Sequence, residues 1–203
     1  MGAHEVQDFL RRPVVVEEKV DGANTGIAFD STGEPIIWNR GTVLTAGGHA
    51  QFQPLWRWLA EHRAGLASAL GERLVLFGEW CFAIHTVRYD RLPDWFLAFD
   101  VYEKSAGRFW SSDRRDTLVR SLGLFSVPVL ASGIFTLADL ASLLVATKSR
   151  YGHTPIEGLY ARVEREGWLV GRAKLVRPEF MRSIDRHWTS RHLRRNVLAE
   201  ARQ

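Results

Sequence analysis

Cysteine is almost missing from this 203-residue chain. Cys81 alone cannot form an internal disulfide or supply a thiolate cluster for a metal, so a reducing, cytoplasmic setting is expected. The histidines do not compensate. His49, His62, His153, His187 and His192 fall at no zinc-ligand spacing, which argues against a structural zinc. No apolar run reaches the length of a membrane span, and the first dozen residues, with Glu5, Asp8, Arg11 and Arg12 close together, lack a signal-peptide core. Neither membrane insertion nor export is expected. Repeats, low-complexity stretches and linkers are missing as well, which points to one compact unit. What is present, 46% hydrophobic and 25% charged residues, suffices for one sizeable core.

Charge is unevenly placed. From Arg172 to Gln203 nine Lys or Arg stand against three acids, a balance of +6, whereas the rest of the chain holds 18 basic and 20 acidic residues. A positive field concentrated at one end suits a phosphate backbone. A solvated arginine-rich helix has the same composition, so charge alone does not decide.

Short β-rich runs dominate the first third. Pro13 to Val20 and Thr25 to Phe29 flank Asp21-Gly22, and Glu34 to Trp38 follows a Ser31-Thr32-Gly33 turn, which predicts an opening antiparallel meander. Phe52, Leu55, Trp56, Leu59, Leu66 and Leu70 recur at helical spacing, predicting a helix or a helix pair broken near Gly65. Strand patterns return at Arg73 to Trp80 and Trp95 to Tyr102. Helices are expected from Ser112 to about Leu122 and, capped by Thr136 with Asp139, to about Lys148. Two further strands, Gly158 to Glu164 and Gly167 to Leu175, meet at a Glu166-Gly167 turn. The remainder reads as helix after Pro178. The fold class is therefore α+β, one domain over 1–178 with a basic helical tail over 179–203 that is not an independent domain.

The chemistry begins at Glu18-Lys19-Val20-Asp21-Gly22-Ala23-Asn24. A lysine ending a buried strand before a glycine turn sets a primary amine at the floor of a cleft, where its neutral form is a nucleophile. A lone Lys-x-Asp-Gly is equally an ordinary hairpin with an exposed lysine. Other segments change that balance: Trp38-Asn39-Arg40-Gly41, Phe77-Gly78-Glu79-Trp80, Phe96 to Tyr102 around Phe99-Asp100, Glu157-Gly158-Leu159-Tyr160-Ala161-Arg162, and Arg172-Ala173-Lys174.

Taken in this order, the segments resemble the covalent nucleotidyltransferase superfamily, and most closely its ATP-dependent RNA ligases, especially the nick-sealing branch first known from phage. The resemblance implies an antiparallel-sheet nucleotidyltransferase domain of the ATP-grasp-like ligase type. It implies that Lys19 attacks the α-phosphate of ATP and carries AMP as a phosphoramidate. Glu79 would then hold the ribose hydroxyls and Phe99 would stack on adenine. Glu157 would bind Mg²⁺, or Mn²⁺ in its place. Lys174 would act with Lys19 in catalysis by contacting the α-phosphate. Arg172 stands where such ligases commonly have a lysine, which leaves its role open. Glu18, Val20 and Arg40 would also line the nucleotide. Asn24, where DNA ligases and capping enzymes usually carry arginine, tilts the resemblance toward RNA.

AMP would pass to a 5′-phosphate, and a 3′-hydroxyl would then displace it, in RNA that is expected to be a nicked duplex. Only 29 residues follow Lys174, too few for an OB barrel. Arg182, Arg186, Arg191, Arg194 and Arg195 are the remaining candidates for gripping RNA. On a helix, Arg191, Arg194, Arg195 and Arg202 would share one face, with Leu193 and Val197 free to pack on the domain. The chain would be a minimal ligase, a catalytic domain that borrows a protein partner's grip on RNA, or part of a longer ligase. Two other readings are a GTP-dependent capping-type transferase and a non-catalytic nucleotide- or RNA-binding module. Asn24 and the missing barrel weigh against the first, and the intact Lys19, Glu79, Glu157 and Lys174 against the second.

Overall fold

Alternation along the first strand sets the architecture. In β1 (Val14–Lys19) Val14, Val16 and Glu18 face one way and Val15, Glu17 and Lys19 the other. The valine face packs beneath two helices, and the other face carries charge into the interior of the molecule. The computed structural model describes residues 2–181 and 193–200.

In chain order the elements are α1 (Ala3–Leu10), β1, β2 (Ala23–Phe29), β3 (Pro35–Asn39), β4 (Thr42–Val43), α2 (Gln53–Leu70), β5 (Leu74–Trp80), β6 (Phe96–Glu103), β7 (Arg108–Phe109) and α3 (Ser112–Ser121). They continue with β8 (Phe125–Ser126), β9 (Val129–Gly133), α4 (Leu137–Ala146), β10 (Gly158–Arg165), β11 (Trp168–Val176) and the one-turn α5 (Pro178–Met181). Two sheets form. One has the order β11-β10-β1-β9, and the other β4-β3-β2-β5-β6-β7 with β8 pairing parallel to β6. All other pairings between named strands are antiparallel. This is the antiparallel α+β arrangement expected.

Each sheet has its own core. Leu140 and Leu144 of α4 and Leu10 of α1 cover Val14, Val16, Leu159 and Val163 of the first sheet. Leu55, Trp58, Leu59, Leu66 and Leu70 of α2 cover Ile27, Leu76, Trp80 and Phe96 of the second. α2 follows a single 3-10 turn at Ala50–Phe52 and runs unbroken through Gly65, so of the two expected alternatives, one helix or a pair, the single helix forms. Thr136 caps α4 together with Asp139 as expected, whereas α1 was not anticipated.

Two expectations are corrected. β1 and β2 do not form a hairpin, because they belong to different sheets and Asp21-Gly22 crosses between them. The crossing is held by distant contacts: Asp21 Oδ2 accepts from the Thr86 and Val87 amides at 2.6 and 2.7 Å, and the Asp21 amide donates to Tyr89 Oη at 2.7 Å. Nor is the expected tail helix found over 193–200, although the helical turn α5 begins after the last strand as expected. Residues 193–200 run extended and bridge to the loop after β5, at Ala83 with Arg195 and at Leu92 with Leu198. Asn196 is buried and Leu198 half-buried, while Leu193 and Val197 are 40% and 46% exposed, the period of an extended chain rather than of a helix. Around Arg194 and Arg195 a buried asparagine bonded to loop backbone holds the chain in place of the expected helix. Arg182, Arg186, Arg191 and Arg202 lie outside the described residues. No helix among the described residues is long and apolar enough to cross a membrane.

Candidate active site

The two sheets enclose a cleft of about 600 Å³ lined by residues from both. Lys19, the last residue of β1, is in register with Gly158 of β10, which brings the preceding Glu157 beside it. Lys19 Nζ donates to Glu157 Oε2 at 2.6 Å, with the side chains 27% and 13% exposed. Burial raises the Glu157 carboxyl above its usual range, with the Lys19 ammonium opposing that shift. Gly158 is required here, since a Cβ would stand 2.5 Å from the Leu175 carbonyl oxygen of β11.

Asp21 and Gly22 carry the chain to the second sheet. A Cβ on Gly22 would lie 2.7 Å from the Trp80 carbonyl oxygen, so only glycine lets the crossing approach β5. Glu79 of β5 stands opposite Asn24 of β2. Burial pushes the Glu79 carboxyl up to about 8; Lys19 opposes this, and the negative charges of Asp21 and Glu157 add to it. At neutral pH Glu79 is therefore largely protonated and can donate as well as accept. Arg40 occupies the β3–β4 turn at φ 48, a left-handed conformation that costs about 1 kcal/mol or more in a non-glycine residue. It reaches the cleft mouth from that turn.

The wall beside Lys19 is formed by β11, two strands from β1 in the same sheet, together with β6 of the other sheet. Arg172 Nη1 donates to Asp100 Oδ2 at 2.9 Å, and its guanidinium lies 4.7 Å from the centre of the Phe109 ring. Lys174 faces Tyr160 across the β10–β11 ladder. Beneath this wall lies a buried charge network. Arg162 donates to Asp100 at 2.7 Å and to Glu164 at 2.7 Å, and lies 3.7 Å from Glu17. Arg115 pairs with Glu17 at 2.7 Å and with Asp116 at 2.8 Å. Both arginines donate to the Phe99 carbonyl, at 2.7 Å from Arg115 and 3.2 Å from Arg162. Burial works against the Arg162 charge, but Asp100 and Glu17 outweigh it and hold the guanidinium more firmly protonated than usual.

The cleft thus brings together Lys19, Val20, Asn24, Arg40 and Glu79 with Phe99, Arg172 and Lys174. Glu157 joins them through Lys19. Glu18 also lines the cleft, while its carboxylate, on the valine face of β1, accepts from Ser149 Oγ and, at 3.1 Å, from the Arg150 amide and so anchors a loop. Arg194 and Arg195 are exposed on the extended C-terminal strap. Glu17, Tyr160, Arg115 and Arg162 were missed. Alternation from Lys19 would have found Glu17, and Tyr160 and Arg162 stand within the Glu157 motif. For Arg115, on α3, the sequence holds no such signal.

Among the described residues no three His, Cys, Asp or Glu side chains are arranged to ligate one ion directly. Glu157, paired with Lys19, nevertheless offers a hard carboxylate oxygen beside the cleft, which fits a divalent cation that keeps most of its waters, and Glu157 would be the residue to hold it.

Comparison with solved structures gives several of Naegleria gruberi RNA ligase. A lysine-to-alanine variant with ATP and Mn matches with a TM-score of 0.68 and 17% identity, over 88% of this chain and 54% of that one. The ligase with PPi matches with a TM-score of 0.67 and 18% identity, over 89% and 56%. A glutamate-to-alanine variant with AMP and Mn matches with a TM-score of 0.66 and 17% identity, over 88% and 53%. The chain therefore spans little more than half the length of these proteins, and the likeness shows the fold. No curated protein gives a significant match. The family model for RNA ligase matches residues 12–176, most of the chain, and the chain belongs to that family.

Proposed function

We propose that this chain is the adenylylating part of an ATP-dependent RNA ligase, with residues 1–178 as the nucleotidyltransferase unit. The observation that carries the reading is the Lys19–Glu157 contact of 2.6 Å in the cleft, with Arg172 and Lys174 on β11 of the same sheet also lining it. Lys19 Nζ forms a bond to the α-phosphorus of ATP and the bridging P–O bond breaks. Pyrophosphate leaves with the electron pair, and the proton of the amine passes to solvent. Attack needs the unprotonated amine, so the Lys19–Glu157 ion pair has to part first. Glu157 would hold Mg²⁺ or Mn²⁺, which supplies charge neutralisation at the phosphates. Phe99, its backbone fixed by two arginines, supplies an aromatic face for adenine. Lys174 and Arg172 meet charge on the phosphates, and Glu79 binds the ribose hydroxyls.

Incubation with ATP or GTP and Mg²⁺, followed by denaturing mass measurement, tests this. One added AMP from ATP is expected, and a GMP adduct from GTP alone would overturn the adenine assignment. Glu157→Ala and Lys174→Ala should each slow adduct formation roughly a hundredfold, the scale of losing one preorganised electrostatic contact. More Mg²⁺ or Mn²⁺ should partly relieve Glu157→Ala. Near-normal rates in both variants would remove their roles.

RNA with 5′-phosphate and 3′-hydroxyl ends, in a nicked duplex, is the proposed substrate. Arg194 and Arg195 extend the site toward it, and a protein partner or further domain would complete the grip. Replacing both with alanine keeps the main-chain bonds of the strap. Sealing should then fall at least tenfold more than adduct formation does, and its salt dependence should flatten by the release of fewer counterions. An unchanged salt slope would place RNA elsewhere. The buried, free Cys81 accords with a reducing, cytoplasmic location.

A further inference from the structure

Val20, Asp21 and Gly22 belong to neither sheet, so no ladder holds the turn that follows Lys19. Its position comes from the loop after β5, through the Thr86 and Val87 amides on the Asp21 carboxylate and Tyr89 Oη on the Asp21 amide. The loop is in turn held from the other end of the chain. The Ile84 amide donates to Arg194 at 2.8 Å and the Leu92 amide to Val197 at 3.0 Å. The Asn196, Val197 and Ala199 amides donate back to Phe82, Tyr89 and Leu92 at 2.9, 3.0 and 2.7 Å. At the centre Asn196, 1% exposed, uses its whole side-chain amide. Nδ2 donates to the Cys81 and Ala83 carbonyls at 2.8 and 3.3 Å, and Oδ1 accepts from the Tyr89 amide at 2.8 Å. Leu198 packs on the cluster that contains Val20, Cys81, Tyr89 and Leu92.

We propose that Asn196 is a positioning residue for adenylylation: it fixes the 81–92 loop, the loop fixes Asp21, and Asp21 fixes the turn that aims Lys19 at the nucleotide. The inference rests on the adenylylation reading above and extends it, because it makes the C-terminal strap part of the first chemical step. Every link is a hydrogen bond to backbone, so the chain of contacts sets position without touching the reacting atoms. Alanine at 196 leaves two carbonyls and one amide of the loop without their partner, and these groups are buried with it. Repositioning of the loop would relieve that cost. A shift of about 1 Å at a nucleophile can cost on the order of a hundredfold in rate.

The test is single-turnover formation of lysyl-AMP, read as a rate constant and as the final fraction of protein modified. Asn196→Ala should lower the rate constant at saturating ATP at least about tenfold, with the final fraction kept and the half-saturating ATP concentration within about threefold. Tyr89→Phe, which keeps the ring and the strap but removes the oxygen that accepts from Asp21, should lower the rate constant several-fold in the same pattern. It decides the matter should Asn196→Ala fail to fold. A strap that merely stabilises the fold would instead lower the fraction modified and leave the rate constant alone, and that result overturns the proposal. So does a wild-type rate constant in Tyr89→Phe. Absence of adduct in the unmodified protein overturns the adenylylation reading itself, whereas normal wild-type adduct with normal variants overturns only the role of Asn196.

Discussion

Lys19→Ala protein incubated with ATP and Mg²⁺ should keep its unmodified mass, while the parent chain gains one AMP. The expectation follows from the placement of a single amine at the cleft floor, at the end of β1, 2.6 Å from Glu157 and in the same sheet as the strand that carries Arg172 and Lys174. Lys174, the other lysine lining the cleft, projects from β11, two strands from β1 in the same sheet. Lys19→Arg is the sharper variant. A guanidinium can still pair with Glu157, so the electrostatics of the floor are largely preserved, but it stays protonated at any usable pH and cannot attack phosphorus. Both variants should drop to background, with melting temperatures near that of the parent because Lys19 is partly exposed. An AMP adduct retained at another residue in either variant would sink Lys19 as the nucleophile.

The largest effect on stability is expected at Arg162. Its guanidinium is fully buried and serves Asp100, Glu164, Glu17 and the carbonyls of Phe99 and Trp110 at once. Arg162→Ala takes the shared cation from under three carboxylates. Removing one partner of a buried ion pair typically costs about 3–5 kcal/mol, because the remaining charges stay buried. At about 2–4 °C per kcal/mol for a chain of this size, thermal melting should fall by roughly 6–20 °C. Arg172→Ala, on the exposed side of the same Asp100, should melt within a few degrees of the parent, because its side chain is 42% exposed and Arg162 still covers Asp100. A melting temperature for Arg162→Ala like that of the parent would mean that water or a neighbour substitutes for the guanidinium, and the network would not support Phe99 as described.

The cleft residues were legible because each stands on or beside a strand, where period-two alternation fixes which side chains share a face. Lys19, Glu79, Phe99, Arg172 and Lys174 were singled out by the resemblance of their segments to the family, and all five line the cleft. What failed depended on distant contacts. Asp21-Gly22 has the local chemistry of a hairpin turn, and only the Thr86 and Val87 amides, more than sixty residues away, make it a crossing between sheets. Glu18 lines the cleft beside Lys19, and what could not be read was that its carboxylate bonds Ser149 and the Arg150 amide on a distant loop. The C-terminal arginines suggested a helical stripe, while around Arg194 and Arg195 the chain is held by Asn196, whose three bonds to the loop leave no trace in composition or periodicity.

The strap also makes Cys81 a natural gauge of local opening. Its thiol is buried, and burial raises it well above the usual range for cysteine, so a thiol reagent meets almost no thiolate in the closed protein. Its carbonyl is held by Asn196. Any labelling of this one sulfur therefore has to wait for the 81–92 loop to part from its surroundings. The ratio of the observed labelling rate to that of a free thiol gives the free energy of that excursion, without a probe being introduced.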